Sequence, residues 1–325
     1  MSYARCGVRN KQPAGSPVLI IAGPTASGKS ALALSLAETM GGTVINADAL
    51  QCYRDLEILT ARPDAEARKR APHRLYGLLD AVERGSAGSW RVLALAEIAA
   101  ATRSGRLPIM VGGTGLYLRA LRHGLAPFPD IPEGMREEAA ELHRTLGGAR
   151  FRERLATLDP VSAGRLPAGD TLRLVRAYAV VCATGVPIGE WRLRPHPATD
   201  YRFATILIMP PRETLYAAGN ARFLAMLENG ALAEAQALAA RRLDPALPAM
   251  KAVGLPELFR HLCGEMTLAE ATAAAQRATR RYAKRQTTWF RHQADPDLVV
   301  DEQFSESLLR RSRQFIDEFL LTPGG

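Results

Sequence analysis

Residues 23–30 read Gly-Pro-Thr-Ala-Ser-Gly-Lys-Ser, a complete G-x-x-x-x-G-K-[ST] pattern, and the apolar run Val18-Leu19-Ile20-Ile21-Ala22 stands immediately before it. Few folds accommodate that pairing. A buried strand must run into a tight turn at Gly23 and Gly28, and a helix must begin near Lys29 and continue through the apolar stretch Ala31 to Ala37. Successive N–H groups and the positive end of the helix then converge on one anion. Gly23, Pro24, Thr25, Ala26, Ser27, Gly28, Lys29 and Ser30 are therefore expected to grip a polyphosphate, with Lys29 as a point charge and the Ser30 hydroxyl placed to hold Mg2+. The loop leaves open whether that phosphate belongs to ATP, GTP or another molecule.

Further strands are predicted at Thr43–Ala47 and Leu107–Val111, each followed by a polar or Gly-rich loop, with helical stretches such as Trp90–Ser104 between them. Strands alternating with helices imply a parallel, doubly wound α/β sheet, and ligands bind such sheets beyond the carboxyl ends of the strands. Thr25, Asp48 and Gly112-Gly113-Thr114-Gly115 should meet at that rim as the candidate active site. After Gly124 the character changes: Pro127, Pro129 and Pro132 punctuate a linker, and 133–195 read as Arg-rich helices with no convincing strand. Tyr201–Met209 returns to the sheet, and helices follow at about 213–229 and 231–242. The expected organisation is a disordered tail (1–16), a P-loop NTPase-like parallel-sheet core flanked by helices (17–124 and 200–325), and an inserted all-helical domain (125–199).

Across 325 residues, Lys+Arg 42 against Asp+Glu 33 gives a net charge of +9. A polyanionic partner suits that balance, although drift in an Ala- and Arg-rich chain would produce it too. Arg277, Arg281, Lys284 and Arg285 recur at helical spacing on a helix expected to start near Thr267, forming a basic stripe suited to a phosphate backbone. The alternative is a merely solvated face, with Trp289 and Phe290 buried in the core. Arg173 and Arg176 form a second basic pair. Cys6, Cys52, Cys182 and Cys263 lie far apart with no C-x-x-C pair, which argues against a zinc site or a disulfide framework and for a reducing cytoplasm. No segment approaches the ~18 uninterrupted apolar residues of a membrane span. A cytoplasmic monomer without membrane contact is expected.

Asp48 follows a short strand, where a carboxylate can bind Mg2+, accept a proton or orient a nucleophile; capping the next helix is the plainer alternative. Ile109-Met110-Val111 runs into Gly112-Gly113, without the acidic residue that usually completes an NTP-hydrolysing site. That weakens the reading as a motor or switch ATPase, while a P-loop nucleotide kinase stays as an alternative. A catalytically silent RNA-binding protein is a third reading.

Several ordered motifs resemble those of the tRNA dimethylallyltransferase (tRNA isopentenyltransferase) family. They are the phosphate loop; Asn46-Ala47-Asp48 with Gln51 and Tyr53; Val111 to Tyr117; Met250-Lys251-Ala252-Val253-Gly254; and Thr279 to Gln286 leading to Thr288-Trp289-Phe290-Arg291. The resemblance implies transfer of the dimethylallyl group of dimethylallyl diphosphate to the N6 amine of the adenosine 3′ of a tRNA anticodon. Asp48 would accept a hydrogen bond or proton from that amine, and Thr25 would contact the bridging oxygen of the leaving group. The loop and Arg212 would bind diphosphate with Mg2+ at Ser30. Matched tRNA contacts fall at Asp48, Ala49, Leu50 and Gln51, at Thr114 and Arg136, at Leu172, Arg173, Leu174, Val175 and Arg176, and at Lys251, Ala252, Val253, Gly254, Leu255 and Pro256, with Arg281 and Lys284 on the basic stripe. The inserted domain would embrace the anticodon stem-loop. The chain departs from the family pattern at Ala218, where a second diphosphate arginine is common, and at Leu50, Leu59 and Leu255.

Overall fold

The computed structural model describes residues 15–194 and 199–322. The expected disordered tail falls on residues 1–14, outside the described residues, except for its last two members, which the structure corrects. Gly15 N–H donates to the Asp200 carbonyl at 2.8 Å, and the carbonyl of the buried Ser16 accepts from Arg202 N–H at 3.0 Å. Backbone pairing between the first strand and its neighbour runs back through these two residues, so Gly15 and Ser16 are ordered.

In chain order the elements are β1 (Pro17–Ala22), α1 (Lys29–Met40), β2 (Gly42–Asn46), α2 (Ala65–Arg70), β3 (His73–Arg74), α3 (Ala87–Arg103), β4 (Leu107–Gly112) and α4 (Gly115–His123). Four helices follow without a strand: α5 (Glu133–Ala156), α6 (Pro160–Arg165), α7 (Thr171–Thr184) and α8 (Ile188–Leu193). The chain then forms β5 (Arg202–Ile208), α9 (Arg212–Glu228), α10 (Ala231–Ala240), α11 (Leu255–Leu262), α12 (Leu268–Gln293), β6 (Leu298–Val300) and α13 (Glu306–Leu321). Two compact units result, 1–122 with 199–325, and 123–198.

The first unit is built on a six-stranded sheet of order β3-β2-β4-β1-β5-β6, parallel throughout. β1 lies inside it, and successive side chains of a strand point to opposite faces. Leu19 and Ile21 join Leu32 and Leu36 of α1 and Leu308 and Ile316 of α13 on one side, whereas Val18 and Ile20 join Trp90 and Ile98 of α3 and Phe290 of α12 on the other. Burial on both faces explains why β1 reads as an unbroken apolar run. A third core, including Phe223, Leu238, Leu255, Leu258 and Ala275, packs α9 to α12 together with Tyr53 and Leu56. The Glu234 carboxylate binds the 57–59 segment to α10 by accepting the N–H groups of Glu57, Ile58 and Leu59 at 2.7–2.9 Å.

The second unit is all helical around Phe151, Leu155, Leu174, Val180 and Ile188. α5 is interrupted at Gly147, whose φ of 72° falls in the left-handed region. No helix among the described residues is long and apolar enough to cross a membrane.

At the carboxyl end of β4 a Cβ on Gly112 would stand 2.2 Å from the backbone carbonyl of Ala47, the residue beside Asp48. Only a glycine lets β4 approach this closely. Gly112→Ala is expected to lower stability by about 1–3 kcal/mol, as overpacking does, and chemical denaturation with an unchanged m-value would report it.

Candidate active site

The phosphate loop leaves β1 and enters α1 with Gly28 at φ 88° and Ala26 at φ 64°. A left-handed alanine is uncommon, and its carbonyl is held from outside the loop by Gln303 Nε2 at 3.0 Å. The N–H groups of Ala26 and Gly28 have no hydrogen-bond partner among the described residues, and the hydroxyl of the fully buried Ser27 has none either. Such donors at a helix amino terminus form a receptor for an anion.

Lys29 folds back over the loop, donating to the Pro24 carbonyl at 3.2 Å. Burial pulls its pKa from 10.5 down to about 8, a shift that the Asp48 carboxylate opposes and the Arg222 guanidinium adds to. Arg222, on α9, is itself depressed by burial, again opposed by Asp48, and it donates to Thr25 Oγ1.

Asp48 is set by its neighbours in sequence. Asn46, fully buried at the end of β2, accepts Asp48 N–H at 2.8 Å and donates through Nδ2 to the carbonyls of Asp48 (2.9 Å) and Leu75 (3.0 Å). The Trp90 indole donates to the Asn46 carbonyl at 3.0 Å. One Asp48 oxygen, Oδ1, accepts Leu50 N–H at 3.0 Å, as a capping residue does, while Oδ2 makes no hydrogen bond among the described residues. Capping thus occupies one oxygen of the carboxylate and leaves the other unbonded. Thr114 Oγ1 accepts Ala49 N–H at 3.0 Å, which ties the Gly112–Gly115 turn to the Asp48 segment.

These groups meet in one cleft whose lining includes Thr25, Asp48, Arg222 and Tyr282 beside apolar Leu50, Leu59, Phe223, Met226 and Val253. A second cavity on the Ser30 side is lined by Ala31, Leu34, Val44, Val111, His73 and Tyr76, among others, and contains no carboxylate. Burial, reinforced by the charge of Asp48, raises the Tyr76 and Tyr282 phenols and keeps them protonated. The Cys52 thiol is pushed up to about 12 by burial first and then by Asp48, and is inert.

The remaining expected site residues divide. Arg212 is exposed at the start of α9, bonded to the Tyr216 hydroxyl at 2.8 Å, and does not line the cleft. Gln51 spends its amide donor on the carbonyls of Thr60 and Ala61. Ala252 and Leu255 are buried in the α9–α12 core, because α11 packs against α12, so only Lys251 and Pro256 are exposed there and Val253 reaches the cleft. Leu174 is likewise a core residue of the helical unit, while Leu172 and Arg173 are exposed and Val175 is half-buried. Within that unit Arg176 lies over the Phe128 ring at 5.0 Å; burial lowers its pKa, as do the like charges of Arg192 and Arg136, and Arg136 meets Asp130 at 3.3 Å. On α12 the residues Arg277, Arg281, Lys284, Arg285 and Arg291 are exposed and form no ion pair among the described residues, whereas Phe290 is buried and Trp289 half-buried.

Arg222 is the residue that sequence reasoning passed over. Its helical register was the available signal: Gly219, Arg222, Phe223 and Met226 follow one another at spacings of three, one and three, and all four line the cleft.

A family model described as IPP transferase matches residues 51–293. The chain is 59% identical over 283 residues to the tRNA dimethylallyltransferase of Rhodospirillum centenum, covering 86% of this chain and 90% of the relative. It is 52% identical over 316 residues to the same-named protein of Rhodospirillum rubrum, covering 95% and 97%. Among solved structures, the full-length tRNA isopentenylpyrophosphate transferase of Bacillus halodurans superposes with a TM-score of 0.68 at 32% identity, covering 93% of this chain and 96% of that one. A eukaryotic dimethylallyltransferase acting on tRNA shares the fold with a TM-score of 0.79 at 24% identity, covering 94% and 80%.

The depressed pKa of Lys29 predicts how anion binding responds to pH. Below about pH 8 the free protein carries the ammonium charge; as pH rises through about 8 the charge is lost and the affinity for inorganic diphosphate falls. Titration calorimetry at pH 8.5 in buffers of different ionisation enthalpy should show proton uptake on binding, and Lys29→Arg should reduce it.

Proposed function

The chain belongs to the IPP transferase family, and from that membership we propose that it transfers the dimethylallyl group of dimethylallyl diphosphate to the N6 amine of the adenosine 3′ of a tRNA anticodon. The observation that carries the reading is the meeting of Thr25, Asp48 and Arg222 in one cleft beside the apolar side chains of Leu50, Leu59, Phe223, Met226 and Val253, with Lys29 near enough to feel the charges of Asp48 and Arg222. The half-buried cations suit an anion, and the apolar side chains of the cleft suit a short hydrocarbon. No carboxylate ends β4, as a motor or switch ATPase would ask, and the kinase reading rests on the phosphate loop alone, while the relatives are named as tRNA dimethylallyltransferases.

In this mechanism the N6 nitrogen attacks the allylic carbon, the bond from that carbon to the bridging oxygen breaks, and the electron pair leaves on diphosphate. An exocyclic adenine amine is a weak nucleophile, so placement and charge stabilisation carry the catalysis. The free Oδ2 of Asp48 accepts the amine proton. Thr25 Oγ1, itself an acceptor from Arg222, is free to donate its own hydrogen to the bridging oxygen, while Lys29, Arg222 and the unpartnered loop N–H groups take up the charge of the leaving group. Arg222 thereby supplies the cation that Ala218 lacks. Mg2+ fits Ser30, whose hydroxyl is exposed in the first turn of α1; no cluster of three or more His, Cys, Asp or Glu side chains suited to a metal occurs among the described residues, so the ion would rest on Ser30 and substrate oxygens. When bound it neutralises developing diphosphate charge.

The adenine must leave its stack to reach the cleft, a step of a few kcal/mol that is cheapest in a single-stranded loop. The exposed cations of α12 and the Arg136, Arg176 and Arg192 cluster of the helical unit supply phosphate contacts.

Purified protein with dimethylallyl diphosphate, Mg2+ and unmodified tRNA should yield N6-dimethylallyladenosine by mass spectrometry; absence of product on several tRNAs carrying adenosine at that position would overturn the reading. Asp48→Ala should slow transfer about 100-fold or more while leaving the thermal transition in place. Arg281→Ala with Lys284→Ala should weaken tRNA binding and flatten its salt dependence by up to about one unit per lost phosphate contact, measured by filter binding across a salt series.

A further inference from the structure

Gln286 is buried on the inner face of α12, 6% exposed, and makes two long-range hydrogen bonds. Its Oε1 accepts Thr25 N–H at 2.8 Å, and its Nε2 donates to the Gly113 carbonyl at 2.9 Å. The first partner belongs to the phosphate loop. The second precedes Thr114, whose hydroxyl holds Ala49 N–H beside Asp48. One amide therefore spans the two halves of the cleft. The fit is close, since a Cβ on Gly113 would fall 2.3 Å from Gln286 Nε2.

The placement is informative because of what it takes from the anion receptor. Thr25 N–H is committed to a protein acceptor, while its hydroxyl is held by Arg222. Thr25 is thus fixed at both backbone and side chain by residues from α12 and α9. The two residues before Gln286 in sequence, Lys284 and Arg285, are exposed cations, so one turn of α12 carries both a charged outer surface and the internal brace.

We propose that Gln286 is a positioning residue that sets the spacing between Thr25, on the leaving-group side, and the Thr114–Asp48 side, where the nucleophile is received. The inference rests on the transfer reaction proposed above. Misplacement of reacting groups by about 1 Å costs on the order of 100-fold in rate. A brace acting on geometry alone should alter the chemical step and leave each ligand's separate affinity in place.

The test compares wild-type protein with Gln286→Met, which keeps the volume and removes both bonds, and Gln286→Asn, whose amide is one methylene too short to span both partners. Single-turnover transfer, the affinities for inorganic diphosphate and for an anticodon stem-loop, and thermal stability are measured for each. The expected result is a rate about 10- to 100-fold lower in Gln286→Met and an intermediate loss in Gln286→Asn, with both affinities within about twofold of wild type. Wild-type rates in either folded variant would overturn the proposal. So would affinities that fall in the same proportion as the rate, since that marks a purely structural role; if Gln286→Met does not fold, Gln286→Asn decides by the same criteria. Absence of transfer by the wild-type protein would instead overturn the proposed reaction.

Discussion

Lys29 and Arg222 lie half-buried at one rim of the sheet with a single carboxylate, Asp48, acting on both charges. Removing charges from water is costly unless they are paired, and two cations against one anion leave the site short of negative charge. The diphosphate of the proposed reaction would supply it. The unpartnered N–H groups of Ala26 and Gly28 and the Ser27 hydroxyl are further donors suited to an anion. Much of the surrounding architecture serves to hold these groups dry and in place: β1 delivers the loop, α9 delivers Arg222, and the Asn46 side chain fixes Asp48.

α12 is the element on which these parts converge. Its capping box, in which Thr267 and Glu270 satisfy each other's backbone N–H groups, starts a 26-residue helix that packs against both α9 and α11. Phe290 anchors it in the sheet core, Gln286 reaches the phosphate loop, Tyr282 lines the cleft, and Arg281 and Lys284 face outward. A helix repeats every 3.6 residues, so a single segment can present core, site and surface faces at once. The Gly112–Gly115 turn is shaped by the same packing: a Cβ on Gly115 would meet the Trp289 ring at 2.2 Å. The glycines there answer to close protein neighbours.

Local pattern made most of the sheet legible. The apolar runs of β1, β4 and β5 were recognisable because strands buried on both faces carry no polar alternation. β3 and β6, of two and three residues at opposite edges, were not, since so short a segment has no period to read. The loop residues 23–30 and Asp48 were visible because their chemistry depends on neighbours in sequence. Arg222 and Gln286 were not assigned roles, because each reaches partners far along the chain, 197 and 261 residues away at Thr25 in the two cases. Conversely, Leu174, Ala252 and Leu255 sat inside matched contact segments, but helix packing buries their side chains.

By itself the sequence determined that a strand enters a phosphate-gripping loop and a helix, that a parallel sheet is interrupted by an all-helical insertion, and that the last long helix before the final strand carries a basic stripe. Each follows from periodicity, glycine placement or charge within a short window. Tertiary structure alone decided that Arg222 joins Thr25 and Asp48 in the cleft, which Asp48 oxygen is free, and how Thr25 is braced from a distant helix. Those outcomes depend on side chains meeting across long sequence separations, where no local regularity records the distance.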